Sequence, residues 1–212
     1  MGTYAAVVLA GGAARRMGGV DKPALPVGGR PMRDRVLAAV ADAAPRVLVG
    51  PADAVPDGVR VTREDPPGGG PVAATAAGLA LLDSGTTLVA LLAADLPLLT
   101  RAAIGELLTH LAPAGGTSAP AQEPDASLPD GACFVDAEGR RQSLCGVWRV
   151  AALRAGLDRL AAERGGTLAG APVRALLADL VIREVPWSGE GPPPWFDCDT
   201  DEDVRRAEEW AR

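Results

Sequence analysis

Apolar runs and stretches with helical periodicity alternate along the first half of the chain. Runs of apolar residues bounded by turn residues predict strands at 4–9, 46–49, 59–62 and 87–93. Helical spacing of apolar residues predicts helices at about 31–43, 71–82 and 100–111, where Pro31 and Pro71 suit a first turn. Because strands that alternate with helices build βαβ units, the pattern predicts a doubly wound α/β core.

The pattern changes after residue 111. Residues 112–129 are rich in Pro, Ala, Gly and Ser without a sustained period, which predicts a flexible surface loop. Segments 132–135 and 143–148 then predict an antiparallel hairpin added to the sheet. The remaining elements are predicted as helices at about 151–164 and 172–180, a strand at 181–185, a Gly/Pro linker at 187–195 and an amphipathic helix at 200–211. We therefore predict one domain with a three-layer fold, in which helices cover both faces of a mostly parallel sheet.

Composition and charge narrow the class of protein. The chain has 212 residues, 48% of them hydrophobic, which suits one globular core. The net charge of -6 argues against nucleic acid as the main partner, because binding a phosphate backbone needs an extended basic surface. The chain has no run of eighteen apolar residues and no leader with a cleavage pattern, so we expect neither export nor a membrane partner.

The number and spacing of the cysteines and the single histidine argue against several kinds of site. Cys133, Cys145 and Cys198 are odd in number and widely spaced, so neither a disulfide framework nor a paired zinc motif is expected, and a reducing cytoplasm fits. His110 is the sole histidine and lies in a predicted helix far from the motifs below. A Ser-His triad and a histidine metal site are therefore excluded.

Lys22 is the only lysine of the chain, and it closes a glycine-rich segment that follows the first strand. The other basic residues are arginines, so a single lysine here indicates a site that needs the compact point charge of an ammonium, such as a phosphate-binding loop. The alternative is that a chain of this composition holds few lysines in any case. Gly11 and Gly12 allow a sharp turn whose backbone N–H groups can approach an anion. The segment contains neither Gly-x-x-x-x-Gly-Lys-Ser/Thr nor Gly-x-Gly-x-x-Gly.

This segment reads Leu-Ala-Gly-Gly, then Arg-Met-Gly-Gly, then Asp-Lys, and continues as Pro-Val-Gly-Gly-Arg-Pro-Met. It resembles the signature of the molybdenum cofactor guanylyltransferases, the MobA type of the MobA-like NTP transferases. The resemblance implies a Rossmann-like nucleotidyltransferase fold and catalytic roles for Arg16 and Lys22, which would neutralise a triphosphate. It also implies that a loop backbone holds the base and phosphates, here Leu9, Ala10, Gly11 and Gly12.

Asp95 emerges from the predicted strand at 87–93, at the edge where open α/β sheets bind ligands. Magnesium is normally held by one or two carboxylates together with substrate phosphates, so Asp95 is a candidate ligand. Its segment, Ala-Asp-Leu-Pro, resembles the family's Asp-x-Pro motif, whose aspartate binds Mg²⁺ and is catalytic. The alternative is that Asp95 only starts a turn before Pro97.

Two further acidic segments resemble the family. Asp65 precedes Gly-Gly-Gly-Pro, similar to the family's nucleotide-contacting Asp followed by Gly-Pro-Leu, with Glu64 as the competing carboxylate and a polar turn as the alternative. Residues 196–203 resemble Asn-x-Asn-Thr-Pro-Glu, with aspartates at both asparagine positions. Asp199, or in its place Asp197, is expected to complete the magnesium site.

The resemblance implies a Mg²⁺-dependent transfer of GMP from GTP to molybdopterin with release of pyrophosphate. Residues 1–111 would form the nucleotide-binding half and 130–212 the acceptor-binding half, and molybdoenzymes or other cofactor-biosynthesis proteins are the implied protein partners. Gly50 stands where guanylyl-specific relatives often place an asparagine against the nucleotide, and Ser143 where the family's acceptor segment has a proline. Two alternatives therefore stay open. One is a transferase that uses CTP or GTP on another acceptor, such as a molybdopterin cytidylyltransferase or an enzyme for phospholactate or a sugar phosphate. The other is a non-catalytic nucleotide-binding module.

Overall fold

The computed structural model describes residues 4–11, 22–51, 55–112 and 128–211. Within them the chain forms nine strands and six α-helices, and a short 3-10 helix at Lys22–Ala24. In chain order these are β1 (Ala5–Leu9), β2 (Pro26–Val27), β3 (Arg30–Pro31), α1 (Met32–Ala39), β4 (Arg46–Val49), β5 (Val59–Thr62), α2 (Pro71–Ala80), β6 (Leu88–Ala93), α3 (Arg101–Thr109), β7 (Gly131–Val135), β8 (Arg141–Arg149), α4 (Val150–Glu163), α5 (Val173–Leu176), β9 (Ile182–Pro186) and α6 (Asp201–Trp210).

Seven strands form one sheet in the order β5-β4-β1-β6-β8-β7-β9. β8 pairs antiparallel with both β6 and β7, whereas the other pairs in this sheet are parallel. β2 and β3 form a separate small antiparallel pair. The predicted fold class, a mostly parallel α/β sheet with an added antiparallel hairpin, is thus confirmed. Both halves of the chain contribute strands to this sheet.

The apolar residues of the central strands supply two cores, one on each face of the sheet. All five residues of β1 are buried, and its side chains alternate between the two faces because strand side chains have a period of two. Ala6 and Val8 pack with α1 and α3 on one face. Val7 and Leu9 pack with α2, α4 and α5 on the other. Each such valine or leucine contributes about 1.5–3 kcal/mol by leaving water, and together they hold the three layers in place.

Two predicted helices are shorter in the structure by four residues or more than their apolar periodicity indicates. The first ends at Ala39, and the one predicted at 172–180 is the single turn of α5. In α5 the carbonyl of Leu176 packs closely against Gly156 of α4. Tertiary contacts of this kind can override the helix propensity of a short segment. Most of the predicted loop at 112–129 lies outside the described residues. Every helix in the described ranges is too short or too polar to cross a bilayer.

The carboxyl ends of the parallel strands meet at one edge of the sheet, and this edge positions the candidate site. β1 is flanked by β4 on one side and by β6 on the other. Three chain segments leave this edge side by side: Ala10 and Gly11 after β1, Gly50 after β4, and Asp95 after β6. Because the strand order changes direction at β1, this is the crevice in which open α/β sheets bind their ligands.

Candidate active site

Lys22, Asp95 and Asp199 form a cluster of opposite charges at the carboxyl end of β6. The Lys22 Nζ lies 2.6 Å from Oδ2 of Asp95 and 2.7 Å from Oδ1 of Asp199. The side chains of Lys22 and Asp95 are 19% and 23% exposed, whereas that of Asp199 is 55% exposed. The fold therefore brings together three predicted site residues that are far apart in the sequence, in a setting open to a ligand from the Asp199 side.

The turn that carries Asp95 is held from three directions. The N–H of Ala94 donates to the carbonyl of Leu9 at 3.0 Å, so this segment continues the pairing of β6 with β1. The Asp95 carbonyl accepts the N–H of Cys198 at 3.3 Å. Arg35 of α1 donates through its Nε to the carbonyl of Pro97 at 2.7 Å. Arg35 is a positioning residue for this turn that the motifs did not single out, because its partner is a backbone oxygen.

The partners of Asp95 are fixed by the elements that begin beside them. Lys22 starts the 3-10 helix, and its carbonyl accepts the N–H of Leu25 at 3.0 Å. Asp199 directly precedes Thr200, which caps α6: the Thr200 hydroxyl accepts the N–H of Asp203, while the Asp203 carboxylate accepts the N–H of Thr200. This capping box ties Asp199 to the start of a helix.

The charges of the cluster support one another. Burial alone lowers the pKa of the Lys22 ammonium, but the hydrogen bonds and charges of Asp199 and Asp95 outweigh it and raise this pKa above its ordinary value. Lys22 is therefore a cation throughout the physiological range. Desolvation raises the pKa of the neighbouring Asp197 carboxyl, and the negative charge of Asp199 adds to that shift. Crowded acidic groups of this kind favour an added cation.

The donor set suits a magnesium ion that shares its coordination with a substrate. In the part of the chain that the structure describes, no three His, Cys, Asp or Glu residues gather into a complete metal cage. Two carboxylates, those of Asp95 and Asp199, converge on one cationic group, the Lys22 ammonium. One or two carboxylates plus phosphate oxygens are how proteins usually hold Mg²⁺, so the residues fit this ion. The metal role of Asp95 and Asp199 stays a prediction.

The predicted nucleotide loop begins where β1 ends. The carbonyl of Leu9 and the N–H of Ala10 are used within the sheet, by Ala94 and by the Val49 carbonyl at 2.8 Å. Gly11 is exposed, so it is the first residue of this segment that solvent or a ligand can reach. Gly12 and Arg16, the other predicted members of the loop, lie outside the described residues.

Gly50 lies against the same loop. Its φ of +143° is in the region that favours glycine, and a Cβ on Gly50 would come within 2.8 Å of the Ala10 carbonyl carbon and the Gly11 nitrogen. The absence of a side chain at this position is therefore required by the close approach of the loop backbone. This chain therefore has no side chain at the position where the resemblance leads one to expect an asparagine.

Of the two carboxylates after β5, the structure brings Glu64 rather than Asp65 to the loop. Asp65 is exposed. Glu64 is 8% exposed and accepts the N–H of Gly68 at 3.0 Å. A Cβ built on Gly11 would lie 3.4 Å from Oε1 and 3.6 Å from Oε2 of Glu64, so both carboxylate oxygens face that glycine. Adjacent carboxylates in a turn could not be ranked from the sequence, since either can point inward.

The sequence model of the MobA-like NTP transferase domain matches residues 6–182. The chain belongs to this family. It is 33% identical over 182 residues to the molybdenum cofactor guanylyltransferase of Cereibacter sphaeroides, covering 78% of this chain and 84% of that protein. Family membership makes the chain a nucleotidyltransferase, as the glycine loop and Asp95 predicted.

Two solved nucleotidyltransferase structures share this fold. Molybdopterin-guanine dinucleotide biosynthesis protein A from Archaeoglobus fulgidus superposes with a TM-score of 0.67 at 18% identity, covering 97% of both chains. The 2-C-methyl-D-erythritol 4-phosphate cytidylyltransferase from Thermus thermophilus superposes with a TM-score of 0.65 at 20% identity, covering 99% of this chain and 98% of that one. At these identities the likeness concerns the fold, and it includes enzymes named for different bases.

Proposed function

We propose that this chain is a Mg²⁺-dependent, cytoplasmic guanylyltransferase that transfers GMP from GTP to molybdopterin and releases pyrophosphate. The observation that carries the proposal is the convergence of Lys22, Asp95 and Asp199 at the carboxyl edge of the sheet. The similarity to the Cereibacter sphaeroides guanylyltransferase supports the choice of donor and acceptor.

The reaction needs positioning and charge neutralisation rather than covalent catalysis by side chains. An oxygen of the acceptor phosphate attacks the α-phosphorus of GTP and forms a new P–O bond. The bond from the α-phosphorus to the bridging oxygen breaks, and its electron pair leaves with the pyrophosphate. A preorganised cation beside the departing oxygens stabilises the charge that develops there.

The roles of the side chains follow from their charges. Lys22 is cationic and partly exposed, so its ammonium can bind the triphosphate, and Arg16 is proposed to add a second positive charge. Asp95 and Asp199 would hold Mg²⁺. When bound, Mg²⁺ supplies Lewis-acid neutralisation of phosphate oxygens. The turn that carries Asp95 is held by β1, Cys198 and Arg35, which favours a fixed geometry over an adaptable one.

A second candidate is a transferase that uses CTP. It is favoured by the likeness in fold to the Thermus thermophilus cytidylyltransferase, and by Gly50, which offers no side chain to a base. The acceptor would then be molybdopterin or another phosphorylated compound.

The test is to incubate the protein with Mg²⁺, each of the four NTPs and molybdopterin, and to measure pyrophosphate. The proposal predicts release with GTP and molybdopterin together, and little with either alone. Release that requires CTP would establish the second candidate. Tight NTP binding without pyrophosphate, with molybdopterin, phospholactate or sugar phosphates as acceptor, would identify a nucleotide-binding module without catalysis.

A further inference from the structure

A third, small hydrophobic core lies apart from the two cores that cover the faces of the sheet. It forms where the β2–β3 hairpin packs against α6 and the segment before it. Among the described residues its buried members are far fewer than those of either large core: Val27, Met32, Cys198 and Ala207. We call the residues around this core, 22–32 and 196–211, the hairpin–helix unit.

The hairpin–helix unit carries two of the three members of the charge cluster. Lys22 and Asp199 belong to it, whereas Asp95 follows β6 of the sheet. Two polar contacts at Asp95 join the unit to the sheet: the 2.6 Å ion pair with Lys22, and the 3.3 Å hydrogen bond from the Cys198 N–H to the Asp95 carbonyl. Contacts of this kind can open at a modest free energy, because water takes the place of the lost partner.

The hairpin–helix unit packs loosely against the rest of the protein. Ala207 is the one buried residue of α6, all of which lies in the described ranges. A groove of about 480 Å³ beside the end of α6 is lined from both parts, by Trp210 and Ala211 of the unit and by residues that include Leu98 and Thr100. Segments with few buried apolar contacts are those that open locally, at a lower free energy than the whole fold.

Contacts inside the hairpin–helix unit tie its two chain segments together. The N–H of Gly28 in the hairpin donates to Oε1 of Glu208 on α6 at 3.1 Å. Arg206 lies over the rings of Trp210 and Phe196, 4.8 and 5.9 Å from their centroids, and so links α6 to the segment before it. Together with the shared core, these contacts favour movement of the unit as one piece.

We propose that the hairpin–helix unit opens as one piece while the sheet stays folded, and that an NTP with Mg²⁺ closes it. Opening takes Lys22 and Asp199 away from Asp95 and so dismantles the cluster. A ligand held by Asp95 together with the other two residues spans both parts, so it binds the closed form more tightly and shifts the population towards it. The closing step rests on the proposed function, whereas the opening does not.

The buried cysteines report on this opening without added probes. Cys198 lies in the core of the unit, whereas Cys145 lies on β8, inside the sheet. A buried thiol reacts only when its surroundings open, so its labelling rate in the native protein follows the free energy of that opening when reclosing is fast. Without ligand, Cys198 should be labelled at least about 10-fold faster than Cys145, although more slowly than in denaturant. Mass spectrometry of peptides distinguishes the two thiols.

Two buried valines separate local from global opening. Val89→Ala removes methyl groups from a large core that stays packed when the unit opens, so it should raise the rate at Cys145 about 10- to 100-fold and leave that at Cys198 unchanged. Val27→Ala weakens the core of the unit and should raise both rates, because both openings disrupt that core. In wild type, urea below the unfolding transition should accelerate Cys145 more steeply, since global opening exposes more surface.

A ligand arm tests the closing step. With Mg²⁺ and GTP at about ten times the measured Kd, labelling of both thiols should slow about 10-fold, because neither opened form binds the ligand. Slowing at Cys145 alone would overturn the closing step. Equal ligand-free rates at the two thiols, or a rise at both in Val89→Ala, would overturn the opening. Failure of every NTP to bind would contradict the proposed function and the closing step with it, while the ligand-free rates alone decide the opening.

Discussion

Removing the Lys22 ammonium should strengthen the binding of a divalent metal to the protein without nucleotide. Lys22 Nζ lies 2.6 and 2.7 Å from the two carboxylates proposed to hold the metal, so ammonium and metal compete for the same oxygens. Lys22→Met keeps an unbranched side chain and removes the charge. If the loss of an active-site residue simply weakened the binding of every ligand, the metal affinity of Lys22→Met would instead fall.

The magnitude follows from the exposure of each contact. The pair with Asp199, whose side chain is 55% exposed, is screened by water and contributes about 0–1 kcal/mol. The contact with Asp95 joins side chains that are 19% and 23% exposed, and a hydrogen bond between charged groups contributes about 1.5–3 kcal/mol. Releasing both contacts, about 1.5–4 kcal/mol together, corresponds to a gain in metal affinity of about 10- to 1,000-fold.

The assay is titration with Mn²⁺ followed by electron paramagnetic resonance, which counts free metal directly. Arg101→Met is the matched control, because it removes one positive charge at an exposed pair with Asp42, outside the cluster. Lys22→Met should bind Mn²⁺ more tightly than wild type, and Arg101→Met should not differ from it. Unchanged or weaker Mn²⁺ binding by a folded Lys22→Met protein would refute the reasoning.

Two further predictions concern stability and thiol chemistry. Gly50→Ala should destabilise the fold by at least about 2 kcal/mol, because the added Cβ would meet the Ala10 backbone at a φ that is strained for alanine. Gly85→Ala, which has open space around the added Cβ, should not destabilise it. Urea unfolding measures both variants. All three cysteines are free and buried, and burial raises the pKa of Cys133 to about 11 and of Cys198 to about 12. A thiol reagent at pH 8 should therefore modify the native protein slowly, whereas in denaturant it should modify all three thiols rapidly. Rapid labelling of the native protein would contradict the buried placement of the cysteines.

Much of the fold was predictable because the apolar pattern and the topology agree. Of the parallel strands of the first half, β1, β4 and β6 are short apolar runs that are almost entirely buried, and such runs are recognisable without a partner. The lengths of α1 and α5 were not predictable. Their apolar residues continue a helical period beyond the observed ends, and for α5 the close contact of Leu176 with Gly156 of α4 is a tertiary constraint that a local pattern does not contain.

The site was predictable where a strand end or a motif carries the residue. Lys22 and Asp95 were found in this way, and the structure joins them. Glu64 could not be ranked above Asp65, because the direction of a side chain in a turn depends on packing. Arg35 was missed as a support, since it acts on the Pro97 carbonyl, and a backbone acceptor leaves no mark in the sequence.

The most direct test of the central claim, that Lys22 and Asp95 form the centre of nucleotidyl transfer, is the rate of pyrophosphate release with GTP, Mg²⁺ and molybdopterin. Lys22→Ala and Asp95→Ala should each lower turnover at least ~10²-fold, as expected for the loss of one preorganised electrostatic group. Arg101→Ala, with its exposed pair, should stay near wild type. Near-normal turnover in either site variant, with its fold verified by circular dichroism, would contradict the account.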